Sequence, residues 1–438
     1  MKVLLVIHGY PPRYNAGSEN YTQNLAHGLY DAGINVAIFA RDENPFLPEY
    51  QLIRESDTQK PEIPVILINH PRSNIRFRNE HIDLAFRDVL EELKPDIVHF
   101  GHLSHLSTGI VEQARASGAK IVFTLHDYWL MCPRGQFLVW GLTYDEPWRL
   151  CKGQENSKCA DRCFNRYITG KNPAESRNYW VDWVKERMEE TRNICNIVDL
   201  FIAPSRHLMK RYIEDFSILK ERIVYLDYGF NLEILKPRQR TPEDDFVFGY
   251  IGRHHPSKGI DHLIRAFIKL NGNAKLRIWG KHDGHLTNSL KQMVNEQLSD
   301  AKRVEWFGEY PNQDIVKEVF DKCDCIVVPS IWEEIAPLVI HEAQQVGVPV
   351  ITASFGGMGE YVKDGLNGLT YKHRDVVDLI RVMERALQSQ EKLKWLGKRG
   401  YLFSADGSVQ SIDSHVSEMV ELYKSLKSPK LIAREGVL

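Results

Sequence analysis

The sequence predicts an α/β protein built from two doubly wound, parallel-sheet domains. Three observations carry that expectation. Short apolar runs of strand length alternate with amphipathic helical patterns along nearly the whole chain, the mark of repeated β-α units. The alternation halts in a polar, proline-bearing stretch at 229–245 and then starts again. The 438 residues exceed one ordinary core and suit two domains of about 200 residues each.

Composition narrows the class. An apolar content of 43% with 26% charged residues is that of a soluble globular protein. No apolar run approaches the roughly 18 residues of a membrane span. Met1–Ile7 is apolar but short, and His8-Gly9-Tyr10-Pro11-Pro12 offers no small-residue cleavage site, so the run reads as a first strand rather than a leader. A net charge of −2 argues against a nucleic-acid partner held by bulk electrostatics. Seven cysteines, an odd count without an export signal, point to a reducing, cytoplasmic setting.

The first domain is expected over 1–228. Strand 3–7 runs into a loop, 9–19, whose glycine and proline content forbids regular structure, and Ser18 is a fair N-cap for the helix that follows. Gly-x-Gly-x-x-Gly is absent, so a dinucleotide site is not supported. Strands at 35–40, 64–68, 96–100 and 120–125 continue the alternation, with helical patterns near 79–93 and 108–117. Strand 120–125 ends in His126-Asp127, at the sheet edge where doubly wound proteins bind ligands. Asp127 suits a loop-shaping role. The segment 130–195 breaks the rhythm and reads as an insertion; strands near 199–205 and 223–226 close the sheet.

The second domain is expected over 246–405, followed by a C-terminal helix and tail, 406–438. Strand 246–251 leads through Gly252-Arg253-His254-His255-Pro256-Ser257-Lys258-Gly259 into a helix with Ile260, Leu263, Ile264, Phe267 and Leu270 on one face. Arg253 offers a planar fork and Lys258 a point charge, and together they can neutralise a diphosphate at a strand end. Further strands are expected at 275–279, 303–307, 324–328 and 348–351. Cys323 and Cys325 alternate along one of these and read as small core residues.

The stretch 329–349 holds the sharpest signal. It lies between two buried-strand patterns, and Pro337 suits the first turn of a helix running to Gly347. Glu334 then lies in the loop and Glu342 on the helix, where both can face one crevice. The first-turn N–H groups of Leu338, Val339 and Ile340 point into the same space. Two carboxylates that accept hydroxyl hydrogens, beside an anion-binding helix end, suit a ligand with both polyol and phosphate.

Four of the cysteines, Cys132, Cys151, Cys159 and Cys163, cluster within residues 132–163 of the insertion. Their count suits one closed structural zinc site. The spacing lacks a Cys-x2-Cys knuckle, and reduced thiols or two disulfides stand as the other readings.

The wording of 329–351 (Pro-Ser, Trp-Glu-Glu, Pro-Leu-Val, Glu-Ala, Gly-Val-Pro-Val-Ile), together with Gly252-Arg253…Lys258-Gly259, resembles the donor-site signature of glycosyltransferase family 4, retaining sugar transferases of the GT-B fold. The resemblance runs from the first loop to about residue 426. It implies two Rossmann-like domains with an intervening cleft and a last helix crossing back to the first domain. It implies transfer of a hexosyl unit from a nucleoside diphosphate sugar, UDP- or GDP-linked, to a hydroxyl of a glycan or lipid-linked glycan, in surface polysaccharide or glycoconjugate biosynthesis. Peripheral contact with the cytoplasmic face of the membrane goes with such acceptors.

Residue by residue, the family's pattern implies that Gly17 lets a donor phosphate approach the backbone, although Ala16 stands where a second glycine is common. It implies that Arg253, Lys258 and the helix end at Pro337, Leu338 and Val339 meet the diphosphate, that Glu342 holds the ribose, and that Glu334 holds the sugar. Gly280 and Tyr310 fall where the family binds the base, and His126 where it orients sugar or acceptor. The implied chemistry needs no metal cofactor and no covalent nucleophile. Two other readings remain open: a GT-B nucleotide-sugar epimerase or hydrolase, and a non-catalytic zinc-bearing interaction protein.

Overall fold

The computed structural model describes residues 1–70, 76–140, 148–165 and 174–427. The chain divides into two compact units. The first comprises Met1–Gln136, Cys151–Gly229 and the chain from Gln410 on; the second comprises Phe137–Leu150 and Phe230–Val409.

The first unit is built on an eight-stranded sheet. Its strands are β1 (Lys2–Ile7), β2 (Asn35–Asp42), β3 (Leu52–Ser56), β4 (Pro64–Asn69), β5 (Ile97–Phe100), β6 (Lys120–Thr124), β9 (Leu200–Ala203) and β10 (Ile223–Tyr225). They lie in the order β10-β9-β6-β5-β1-β2-β4-β3 and pair in parallel except for β3 on β4. Val3 to Ile7 are all buried, as a central parallel strand covered on both faces requires. The chain leaves β1 towards β2 on one side and later returns to β5 on the other, so the switch point lies between β1 and β5. β3, with its exposed Arg54, Glu55 and Ser56, is a polar edge strand and gave no apolar signal.

The second unit holds six parallel strands in the order β13-β12-β11-β14-β15-β16. They are β11 (Phe246–Ile251), β12 (Ala274–Trp279), β13 (Val304–Trp306), β14 (Cys325–Val328), β15 (Val350–Ala353) and β16 (Gly368–Tyr371). Here the switch point falls between β11 and β14. The helix Ile260–Ile268 buries Ile260, Leu263, Ile264 and Phe267, the face its periodicity marks out. Cys323 and Cys325 are fully buried core residues.

Several expectations need amending. Within the segment read as an insertion of the first domain, β7 (Leu138–Trp140) and β8 (Trp148–Leu150) form an antiparallel pair that belongs to the second unit. There the Trp148 carbonyl accepts from Arg374, and the Trp148 ring lies 6.5 Å from that of His255. The rest of that segment includes a 24-residue helix, Ala174–Ile197. It was hidden because its buried side includes Arg187 and Thr191 among Val184, Met188 and Ile194, which breaks the apolar rhythm. The stretch 229–245 is not a free linker. From Phe230 it belongs to the second unit, where Arg240 grips Asp324 with two bonds of 3.0 Å and Glu243 pairs with Arg277. The first helix starts at Gly17 with Ala16 as N-cap; Ser18 donates to Glu19 at 2.8 Å instead of capping.

Candidate functional site

In the second unit, the loops after β11 and β14 flank the switch point, where an open α/β sheet leaves a crevice for ligands. They are pressed together. Gly259 has φ +67°, and a Cβ there would sit 1.9 Å from the Pro329 carbonyl oxygen, so only glycine allows this approach. The Ile331 N–H donates to the Ser257 carbonyl across the same gap at 2.9 Å.

That contact brings Lys258 and Glu334 together. Lys258 Nζ lies 2.7 Å from Glu334 Oε1, the oxygen that also accepts from Ser330 Oγ at 2.6 Å. Glu334 is 4% exposed, so its charge is buried and needs this pairing. Its backbone is fixed as well, since the Glu334 carbonyl accepts the Gly357 N–H at 2.7 Å. Lys258 Nζ also lies 5.2 Å from the centre of the Trp332 ring. From the sequence these two residues were expected to meet different parts of a ligand; the fold pairs them with each other.

Arg253 is exposed beside them, and its carbonyl accepts the Tyr250 hydroxyl at 2.9 Å. Among the described residues its guanidinium has no ion-pair partner. The helix after β14 spans Leu338–Gln345, with Pro337 as N-cap rather than inside the first turn. The Ile340 N–H donates to the Pro337 carbonyl at 3.0 Å, so the expected trio of first-turn donors is reduced to Leu338 and Val339. Glu342 is half-buried on this helix, and burial pushes its carboxyl up to about 7. Burial raises the Tyr310 phenol too, and the Glu342 charge adds to that rise, so the two groups lie within electrostatic reach. The Gly280 N–H donates to the Gly308 carbonyl at 3.1 Å, joining the loops after β12 and β13.

In the first unit, the ends of β1, β5 and β6 carry His8, His102 and His126. His8 Nε2 lies 3.3 Å from Glu19 Oε1. Burial would raise the Glu19 carboxyl, but the bond and charge of His8 overcome it and hold the group at about 2. His102 accepts the Ser104 N–H on Nδ1, so its Nε2 carries the proton and donates to Asp127 at 3.2 Å. Asp127 also accepts the Trp129 N–H at 2.7 Å, the loop-shaping role expected of it. Arg187, 1% exposed, donates to the Trp129 carbonyl at 2.6 Å and stacks on the Trp129 ring.

His126 Nδ1 is 2.9 Å from the Tyr228 hydroxyl, and the two rings stack. Burial lowers the imidazole to about 3, so it is neutral at physiological pH. Gly17 opens the helix Gly17–Asp31, where Ala16 has no side-chain oxygen with which to cap the first-turn N–H groups. Sequence reasoning missed His8, Glu19 and His102. The rule that pointed to His126, a polar residue at the carboxyl end of a strand, applies equally to His8 after β1 and His102 after β5.

The four cysteines are not gathered into one ligand group. Cys151 donates its thiol to the Gly153 carbonyl at 3.0 Å. A hydrogen bond from Cys163 holds the Cys159 thiol below its ordinary value. Among the described residues, no group of three or more His, Cys, Asp or Glu side chains could hold a metal ion. Nor is any helix among them long and apolar enough to cross a membrane.

Two doubly wound units, with charged and hydroxyl-accepting side chains at a switch point, define the GT-B type of glycosyltransferase architecture. Comparison with known proteins gives the family. Residues 15–234 match the model of Glycosyltransferase Family 4 and residues 232–403 that of Glycosyl transferases group 1, and the chain belongs to glycosyltransferase family 4. An uncharacterized glycosyltransferase of Methanocaldococcus jannaschii is 32% identical over 207 residues, 47% of this chain and 54% of that protein, so the match spans about half the relative's length. Among solved structures, the sucrose-phosphate synthase of Thermosynechococcus elongatus superposes with a TM-score of 0.70 at 19% identity, covering 98% of this chain and all of that one. The HepE protein of Anabaena, in complex with UDP and glucose, gives 0.68 at 17% identity, covering 97% of this chain and all of that one. At these identities the structural likeness shows the fold.

Proposed function

We propose that the protein transfers a hexosyl unit from a nucleoside diphosphate sugar to a hydroxyl of a glycan or lipid-linked glycan, with retention at the anomeric carbon. The observation that carries this reading is the Lys258–Glu334 pair at the β11/β14 switch point, beside the first turn of the helix Leu338–Gln345. A diphosphate leaving group needs positive charge and N–H donors fixed in advance, because charge builds on it as the glycosidic bond breaks. Arg253, Lys258 and the N–H groups of Leu338 and Val339, behind Pro337, supply them. Gly17 gives the donor phosphate a close backbone approach.

Glu342 accepts from the ribose hydroxyls, with Tyr310 and the Gly280 loop on the base side. Glu334, fixed by Ser330, accepts from the sugar hydroxyls. An incoming diphosphate shares the Lys258 ammonium with Glu334, so the pair acts as a hinge of charge between phosphate and sugar. His126, neutral and held by Tyr228, orients the sugar or the acceptor hydroxyl. The attacking hydroxyl approaches the face the diphosphate leaves, and the departing phosphate oxygen takes its proton. Side chains carry the positive charge, so no metal cofactor is required.

The UDP held by the Anabaena protein makes UDP-sugars the first donors to test, with GDP-sugars as the second set. A thermal-shift panel of nucleoside diphosphates and their sugars identifies the donor. Transfer to candidate glycans is then followed by the anomeric signals of the product. Retained configuration is the expected result; inverted product, or free sugar without an acceptor-dependent product, would overturn the proposal.

A further inference from the structure

We infer that His415, carried by the C-terminal helix Ile412–Lys427, is a positioning residue for His126 and acts through the rings of Tyr21 and Tyr228. The inference rests on the role proposed above for His126.

His415 is completely buried. Its Nδ1 lies 2.8 Å from the Asp227 carbonyl, which can only accept, so Nδ1 carries the ring proton. Nε2 is then bare and accepts the Tyr21 hydroxyl at 2.9 Å. The Tyr21 ring, anchored in this way, stands edge-on to His126 at 5.0 Å and tilts against Tyr228 at 4.9 Å. Those two rings stack on each other at 5.7 Å and 14°, joined by the bond from His126 Nδ1 to the Tyr228 hydroxyl. His126 is thus held by a wedge whose far end is His415.

The backbone agrees. A Cβ on Gly229 would fall 2.5 Å from His415 Cβ, so the helix packs directly on the residue after Tyr228. About two turns further along the helix, the Tyr423 hydroxyl lies 2.6 Å from His99 Nδ1, while His99 Nε2 lies 2.7 Å from Thr124, two residues before His126. The last helix therefore supports His126 both through the ring stack and through the end of β6. A helix that served only to cover a core would be closed more simply with apolar side chains. Two buried histidines with both ring nitrogens engaged instead set where protons sit.

The test reads the His126 ring itself, by long-range proton–nitrogen NMR spectra of the histidine side chains in the full chain. Its signals are assigned by their loss in His126→Asn. In the wild type, His126 should hold a single tautomer and not titrate between about pH 6 and 7.5, where an unperturbed imidazole does. His415→Leu should mix the tautomers and start titration in that range. Tyr21→Phe, which removes one hydroxyl and keeps the ring, should shift the same way by less. His415→Gln, which again offers Tyr21 an acceptor, should restore most of the wild-type pattern. If His415→Leu does not fold, Tyr21→Phe decides. His126 signals unchanged in the folded variants would overturn the inference. Full transfer activity in His126→Ala would instead remove the role of His126 and leave the NMR result standing, so the two failures are distinct.

Discussion

Lys258 Nζ and Glu334 Oε1 lie 2.7 Å apart, although 76 residues separate them in the chain. The pair forms because β11 and β14 are neighbours in the sheet and Gly259 lets their loops touch. Breaking it from one side leaves a charge without its partner. Lys258→Ala should lower stability by about 2 kcal/mol, between the values for exposed and buried pairs because the lysine is partly solvated. Lys258→Met/Glu334→Gln should regain most of that stability while remaining inactive. Chemical denaturation of the two variants checks this, and equal destabilisation in both would contradict it.

Glu342 and Glu334 should fail differently. Glu342→Ala should weaken bare nucleoside diphosphate, whereas Glu334→Ala should leave that binding nearly intact and abolish transfer. Calorimetry on both variants separates the roles, and equal loss of nucleotide affinity would refute the division.

The Glu342 carboxyl, raised to about 7, adds a pH signature. It accepts hydroxyl hydrogens best when ionised. Nucleotide affinity should therefore rise by up to about tenfold per pH unit below 7 and level off above it. Glu342→Gln should lack this dependence while keeping whatever the nucleotide's own phosphate contributes. A wild-type slope identical to that of Glu342→Gln would count against the ribose assignment.

Acid should unfold the first unit through its buried histidines. Burial lowers His99 to about 3 and His415 to about 4, below the ordinary 6.5. The unfolded chain binds protons that the folded one excludes, so their stabilisation is complete above pH 6.5 and is lost as pH falls towards the folded values. Each contributes up to about 1.4 kcal/mol per pH unit in that window. Denaturation midpoints between pH 7 and 5 measure it. A flat profile, or one unchanged in His99→Leu, would contradict the neutral burial of these rings.

Much of this was legible in the sequence because parallel strands buried on both faces are continuous apolar runs: Val3–Ile7 and Cys325–Val328 announce themselves. The chemistry at the end of β11 was legible as well, since Arg253 and Lys258 follow directly on an apolar run. Side-chain pairing was not. Nothing near Lys258 in the chain says that its partner is Glu334, and nothing near His126 says that Tyr21 and His415 hold it. The thiols illustrate the same limit, for four cysteines within 132–163 gave a ligand count without a geometry. The fold turns Cys151 towards Gly153 and pairs Cys159 with Cys163.

The central claim, that the β11/β14 switch point holds a diphosphate, is tested most directly by calorimetric titration of UDP and GDP into the wild type, Arg253→Ala and Lys258→Ala. The account predicts that one of the two nucleotides binds the wild type and that each substitution weakens it by about 100-fold, roughly 3 kcal/mol, the scale of losing one preorganised charge contact in a shielded site. Equal affinity in wild type and both variants would contradict it.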